Sequence, residues 1–331
     1  MLYGFLSRPA IDFDTEKDIP NLTGKVIAIT GGNAGLGAET VLRLAPHNPA
    51  HIYILSRNAS STSSTISEVK SQVPTCCPIS HVPCDLSSLS SVRDCATELK
   101  RRTQRLDIVF LNAGVMLVPP ALTEDGYDIQ FGTNHLGHFL LSELLLPLLR
   151  STAQLENADV RVVVLSSAGM ALCLWWGIDY NTLKKAGSSW SLSGLYRYGQ
   201  SKLANALFAR EFDARYARDG ITCVSIHPGV ISTGLWSAAF GFASNWGRVA
   251  DWIKVAGTLI PVMGFEGAES GAKGQLWGAV GRKGDSIGEV KGGEFYTPVG
   301  IRGQGTWASM DMGEARKLWE WSAKEVAKYM K

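Results

Sequence analysis

An α/β fold built on a doubly wound parallel sheet follows from three observations on the 331-residue sequence. Seven short apolar, β-branched runs recur along the chain, stretches of helical periodicity separate them, and neither a proline-rich or charged linker nor an internal repeat interrupts the alternation. The expectation is one domain of about seven strands with helices on both faces, and a chain of this length can bury the core it needs.

The first run, KVIAIT (Lys25 to Thr30), passes through ITGGNAGLG into GAETVLRLAPH, so a buried strand turns through glycines into a helix. The later runs are His51 to Ser56, Ile79 to Cys84, Leu106 to Asn112, Val160 to Ser166, Thr222 to His227 and Gly293 to Pro298. Residues 1–22 precede the sheet as an N-terminal extension whose apolar stretch is too short to span a bilayer. Residues 134–150 are apolar on more than one face, which fits either burial within the domain or a homodimer seam. Residues 234–264 carry Trp236, Trp246 and Trp252, but Arg248, Asp251 and Lys254 break the stretch; it reads as a helical insertion beside the substrate, not a membrane span.

Composition narrows the function classes. Hydrophobic residues make up 45% and charged residues 19%, and the net charge of +2 comes without a basic block, so nucleic acid is not an expected partner. Six cysteines without C-x-x-C spacing fit a reducing, cytoplasmic setting. His135 and His138 lack the Glu of a zinc motif, and no serine sits in G-x-S-x-G, so neither a metal centre nor a hydrolase is expected.

Glycines between a strand and a helix N-terminus suit an anion, because unpaired N–H groups and the helix dipole face it and missing side chains let it approach. The triphosphate-binding pattern fails, since Ala38 stands where Lys is needed, and G-x-G-x-x-G fails at Thr40. What remains is Thr30-Gly31-x-x-x-Gly35-x-Gly37. In a doubly wound sheet, ligands sit beyond the carboxyl ends of the strands. Strand 2 ends in Ser56-Arg57-Asn58 with no acid to hold a ribose hydroxyl, so Arg57 favours the 2′-phosphate of NADP(H) over NAD(H). Strand 3 closes on Cys84-Asp85-Leu86 and strand 4 on Asn112-Ala113-Gly114, residues able to wall a cofactor. After strand 5, GLYRYGQSKLANALFAREF reads as a helix on which Tyr198 and Lys202 lie about 40° apart on one face. An ammonium beside a phenol favours the phenolate, which makes the pair a candidate general acid/base; Tyr196 points elsewhere.

T-G-x-x-x-G-x-G, N-A-G, S-S, Y-x-x-x-K and H-P-G-x-x-x-T occur here in one order, each near a strand end. This resembles the short-chain dehydrogenase/reductase family, whose members have a Rossmann-type fold, and its retinol-dehydrogenase-like branch through FGTNHLGHFLL, IDYNTLK and YGQSKLAN. The resemblance spans about residues 22–240, with a weaker match at GEFYTPVG. It implies that Tyr198 exchanges the proton, Lys202 lowers its pKa and holds the nicotinamide ribose, Ser167 steadies the substrate oxygen and Asn134 anchors a relay water. Of the adjacent Ser166 and Ser167, only one can aim at the site, and the family pattern favours the second. The implied cofactor contacts are Gly31, Asn33, Gly35, Leu36 and Gly37 at the pyrophosphate, Arg57 at the 2′-phosphate, and Asp85 and Leu86 at adenine. Asn112, Ala113 and Gly114 would follow along the cleft, with Pro228, Gly229 and Thr233 at the nicotinamide end. Residues 168–197 form a longer link than in compact members, and Trp175, Trp176 and Trp190 in it either pack the insertion or wall a bulky substrate. The expected activity is that of an NADPH-dependent carbonyl reductase or alcohol dehydrogenase acting on a hydrophobic ketone, aldehyde or secondary alcohol. The alternatives are a non-catalytic NADP(H)-binding sensor and a dehydratase or cyclase on the same fold.

Overall fold

Every residue of β1 (Val26–Thr30) is buried, as a central strand covered on both faces requires. Its side chains alternate: Val26 and Ala28 pack into one core cluster, Ile27 and Ile29 into another on the opposite face. The protein is seen in a computed structural model that describes residues 11–173, 177–187, 191–229, 267–297, 299–303 and 305–330. Around β1 stand β2 (His51–Ser56), β3 (Ile79–Pro83), β4 (Ile108–Leu111), β5 (Val160–Leu165), β6 (Ile221–Ile226) and β7 (Phe295–Tyr296). They form a seven-stranded sheet in the order β3-β2-β1-β4-β5-β6-β7, with every neighbouring pair parallel. All seven expected runs are strands, most trimmed or shifted slightly at their ends; the last keeps only two paired residues.

Among the described residues the α-helices are α1 (Gly35–Leu44), α2 (Ala59–Gln72), α3 (Leu89–Arg102), a single turn α4 (Ile129–Phe131), α5 (Gly137–Ala153), α6 (Ser191–Tyr216), α7 (Ala268–Val280) and α8 (Met312–Val326), with a further short turn at Trp307–Met310 before α8. Val41 and Leu44 of α1, Val69 of α2 and Leu276 and Trp277 of α7 cover one face of the sheet. That face also receives Phe13, Ile19 and Leu22, so the described part of the N-terminal extension is packed onto it. Residues of α3, α5 and α6 cover the other face, and Trp319 of α8 closes over them. The Trp319 ring lies 4.9 Å from Phe139 and 5.9 Å from Phe208, with the Arg215 guanidinium 4.6 Å from its centroid.

This arrangement explains the all-round apolar helix. Twelve of the seventeen residues of α5 are buried, between α3, the sheet and α8, so its several apolar faces are used inside the chain. A five-residue π-helical turn, Gly132–Leu136, joins α4 to α5. No helix among the described residues is long and apolar enough to cross a membrane, and the six cysteines are free thiols. The expected insertion at 234–264 lies outside the described residues, as do Trp175, Trp176 and Trp190.

Candidate active site

β1 is flanked by β2 on one side and β4 on the other, and the chain crosses in opposite directions from it; at such a switch point a crevice opens beyond the strand ends. Here the crevice is a cleft of about 710 Å³. The β1–α1 turn forms its centre. Gly31 has φ +66° and its N–H donates to Leu55 O at 2.8 Å, so the strand end doubles back where a side chain would lie 3.0 Å from Ala113 Cβ. Gly37 is buried beneath the turn: a Cβ there would come within 2.2 Å of Gly31 O, so α1 can approach only without one. Ala34 stands at the α1 N-cap, contributes no capping side chain, and the first turn holds no acid. An uncapped helix end above a glycine cradle fits a dinucleotide pyrophosphate, and Gly31, Asn33, Gly35 and Leu36 line it. Asn33 Nδ2 donates to Ser61 Oγ at 2.7 Å.

Toward β2 and β3 the cleft is bounded by Arg57, Asn58, Asp85 and Leu86. Arg57 is exposed and makes no hydrogen bond or ion pair with the described residues. Asn58 caps α2 through Ser61 N at 3.0 Å, and Asp85 accepts from Ser87 N at 2.9 Å and Ser87 Oγ at 2.6 Å.

Toward β4 and β5 lie the groups with acid–base chemistry. Thr30 Oγ1 accepts the N–H groups of Asn112 (2.9 Å) and Ala113 (3.0 Å), while Asn112 Nδ2 donates to Thr30 O at 2.9 Å, which fixes the β4 end against the turn. A side chain at Gly114 would stand 3.1 Å from Asn134 Oδ1 and 3.5 Å from Lys202 Nζ. Asn134 itself is wholly buried in the π-turn. Its Oδ1 accepts Val115 N (2.7 Å) and its Nδ2 donates to Val115 O (2.9 Å) and Ser201 Oγ (2.9 Å), so its side chain ties β4's loop to α6 and does not open on the cleft. Ser166 and Ser167 divide as strand alternation requires. Ser166 Oγ is buried and donates to Lys202 O at 2.6 Å, whereas Ser167 is partly exposed, its Oγ accepts Gly169 N at 3.0 Å, and a Cβ at Gly169 would stand 3.3 Å from that Oγ and 3.0 Å from Tyr198 Cε1, so the two side chains flank one point.

Tyr198 and Lys202 share one face of α6, and Lys202 Nζ sits 5.8 Å from the Tyr198 ring centroid and donates to Leu165 O at 2.9 Å. Burial pushes the Tyr198 phenol up to about 12, with Ser167 opposing it, and burial pulls Lys202 down to about 8. The lowering of Tyr198 by Lys202 that the resemblance implies does not figure in this shift, whose direction is set by burial. Asn205, three residues beyond Lys202, also donates to Leu165 O, at 3.0 Å; the same helical spacing that singles out Lys202 points to it. His227, Pro228 and Gly229 close the far end, and Thr233 lies outside the described residues.

His135 and His138 part company. His135 Nε2 meets Ser322 Oγ of α8 at 2.9 Å, while His138 Nδ1 meets Asn134 O at 2.9 Å and its Nε2 meets Thr30 Oγ1 at 2.9 Å. A carbonyl only accepts, so Nδ1 carries the His138 proton and Thr30 donates to the bare Nε2. Beyond Tyr198 the cleft is walled by Val115, Met116, Ala168, Ala171, Leu172 and Leu195, all apolar.

The sequence model of the short chain dehydrogenases matches residues 25–195. A short-chain dehydrogenase/reductase of Armillaria gallica is 35% identical over 305 residues, covering 92% of this chain and 91% of that protein. Retinol dehydrogenase 12 of Mus musculus is 35% identical over 233 residues, covering 70% of each. A crystal structure of an uncharacterized protein from Mycobacterium paratuberculosis superposes with a TM-score of 0.65 at 27% identity, over 96% of this chain and 98% of that one. With its seven-stranded parallel sheet, its glycine cradle at the switch point and these relatives, the chain belongs to the short-chain dehydrogenase/reductase family of nicotinamide-dependent oxidoreductases.

Proposed function

We propose that the chain is an NADPH-dependent carbonyl reductase or alcohol dehydrogenase acting on a hydrophobic ketone, aldehyde or secondary alcohol, working as one NADP(H)-binding domain. The observation that carries this reading is a buried phenol, Tyr198, on one helix face with Lys202, which lines the cleft with Ser167 and an apolar wall and is held protonated by burial. Such a group holds its proton at neutral pH and is ready to donate it to an oxygen that gains electrons. Bound NADPH supplies the hydride for the carbonyl carbon. Ser167 steadies the carbonyl oxygen and Tyr198 gives it the proton. Lys202 holds the nicotinamide ribose, and its positive charge near the ring favours the phenolate left behind. Asn134 acts by tying Val115 to Ser201, the residue before Lys202 on α6. Arg57 takes the 2′-phosphate, and the uncapped α1 end takes the pyrophosphate. The apolar lining selects uncharged, hydrophobic substituents.

The test is NADPH absorbance followed against a panel of aromatic and terpenoid carbonyls. Tyr198→Phe should lower kcat by about 10²- to 10⁴-fold, the range for losing a general acid, with NADPH affinity retained. Turnover by Tyr198→Phe at the wild-type rate would refute the assignment.

A further inference from the structure

Among the described residues, Asn48, Asn157 and Leu117 are the non-glycine residues with left-handed backbone. Asparagine is at home there because its short polar side chain bonds locally; bulky leucine is not. Leu117, at φ +51°, lies in the loop leaving β4, three residues past Gly114. A conformation of this kind persists only where its surroundings hold it.

Gln130 holds it. This side chain is 2% exposed; its Oε1 accepts Leu117 N–H at 2.8 Å and its Nε2 donates to Gly194 O at 2.9 Å. Gly194 lies one turn before Tyr198 on α6. Gln130 is itself anchored, since its N–H donates to Asp128 Oδ1 at 3.1 Å and Asp128 Oδ2 takes the Arg197 guanidinium at 3.1 Å. One carboxamide, used at both ends, thus joins the β4 loop to the first turn of the helix that bears Tyr198. The side chains follow: Met116 and Tyr198 form a buried cluster with Leu117 packed against it, and Met116 faces the cleft. A Cβ at position 194 would lie 3.2 Å from Leu117 Cδ2, so the α6 backbone comes close to the Leu117 side chain here.

We propose that Gln130 is a positioning residue that keeps Leu117 left-handed, so that Leu117 backs Met116 and Met116 forms a fixed wall beside Tyr198 which limits the size of the apolar substituent next to the reacting carbonyl. The proposal rests on the reading of Tyr198 as the acid of a carbonyl reductase. Since glycine adopts positive φ freely, Leu117→Gly removes the strain together with the side chain that backs Met116, so Met116 can yield to a larger group. Gln130→Leu removes both hydrogen bonds and lets Leu117 relax.

The probes are acetophenone, propiophenone and isobutyrophenone, which enlarge the substituent beside the carbonyl. Two readouts are taken: kcat/KM with NADPH, and the Kd of each ketone for the NADP⁺-loaded protein by calorimetry, which needs no turnover. Leu117→Gly should shift the isobutyrophenone-to-acetophenone ratio about ten-fold toward the larger ketone in both readouts, the scale on which methylene-sized groups are discriminated. Its NADPH Kd should stay within about two-fold of wild type and its melting temperature should not fall. Gln130→Leu should raise the ketone KM and Kd about five-fold with little change in kcat, and should have no such effect in the Leu117→Gly background, where nothing needs holding. An unchanged ketone ratio in Leu117→Gly, or an equal Gln130→Leu effect in both backgrounds, would overturn the wall. Ketones that bind with the shifted ratio but consume no NADPH would overturn the reductase reading and leave the wall standing. Ketones that neither bind nor react in wild type would sink both.

Discussion

Arg57 stands at the end of β2 with an exposed guanidinium that nothing in the described chain engages. Asn33, which lines the same cleft, donates through Nδ2 to Ser61 Oγ at 2.7 Å, and on the proposed reading Arg57 discriminates between the two nucleotides. Arg57→Ala should weaken NADPH binding by about 1.5 to 3 kcal/mol, the range for hydrogen bonds to a charged group, and leave NADH binding nearly unchanged. Titrating both nucleotides into both proteins checks it, and equal losses would reduce Arg57 to a surface residue. At this scale the sequence is readable where periodicity turns spacing into geometry. Tyr198 and Lys202 are four apart on a helix, and Ser166 and Ser167 alternate on a strand, so their facing can be worked out in advance. Leu117 and Gln130 could not be found in this way. A left-handed dihedral at leucine has no residue-type signature, and the Gln130 to Gly194 bond spans 64 positions with no local pattern.

α1 approaches the end of β1 so closely that its third residue must be glycine. The Cβ of Gly37→Ala would fall 2.2 Å from Gly31 O, backbone that cannot swing aside, so either the helix or the cradle shifts. Overpacking of this kind costs about 1 to 3 kcal/mol in stability, and here the displaced atoms are those of the glycine cradle proposed to take the pyrophosphate. Gly37→Ala should therefore lower the melting temperature and raise the NADPH Kd together; wild-type values for both would mean that α1 has room this geometry denies it. Strands were the most legible elements because both faces of the sheet are buried, which writes each as a continuous apolar run. The π-turn at Gly132–Leu136 was not legible: Gly, Thr, Asn and His are weak helix formers but carry no signature of a wider turn, and the Asn134 contact to Ser201 spans 67 positions. The all-round apolarity of α5 did not say what would cover it; Trp319 of α8 packs on Phe139, 180 positions earlier in the chain, a contact with no local pattern.

The fold as a whole stores a pH dependence in its buried imidazoles. Burial lowers His135 from 6.5 to about 3, and lowers His138 and His227 to about 4, with Lys202 pushing the last two further in the same direction. Above pH 6.5 these rings are neutral whether the chain is folded or not, and they cost nothing. Below it the unfolded chain takes up protons that the folded chain refuses until about pH 4 or 3, so stability falls with pH across that window. Each ring is worth on the order of 3 to 5 kcal/mol when the window has been crossed, and together they approach the whole stability of an ordinary domain. Asp128, Glu143 and Asp213, raised by burial, bind protons in the folded state and offset part of the loss. The urea midpoint should thus hold steady from pH 8 to 6.5 and drop steeply between 6.5 and 4.5. His135→Gln, which keeps a polar partner for Ser322 but cannot ionise, should flatten that drop while lowering stability at pH 7 by much less. A midpoint that stays level down to pH 5 in the wild type, or a His135→Gln profile parallel to it, would show that the interior accommodates these charges and that acid sensitivity has another origin.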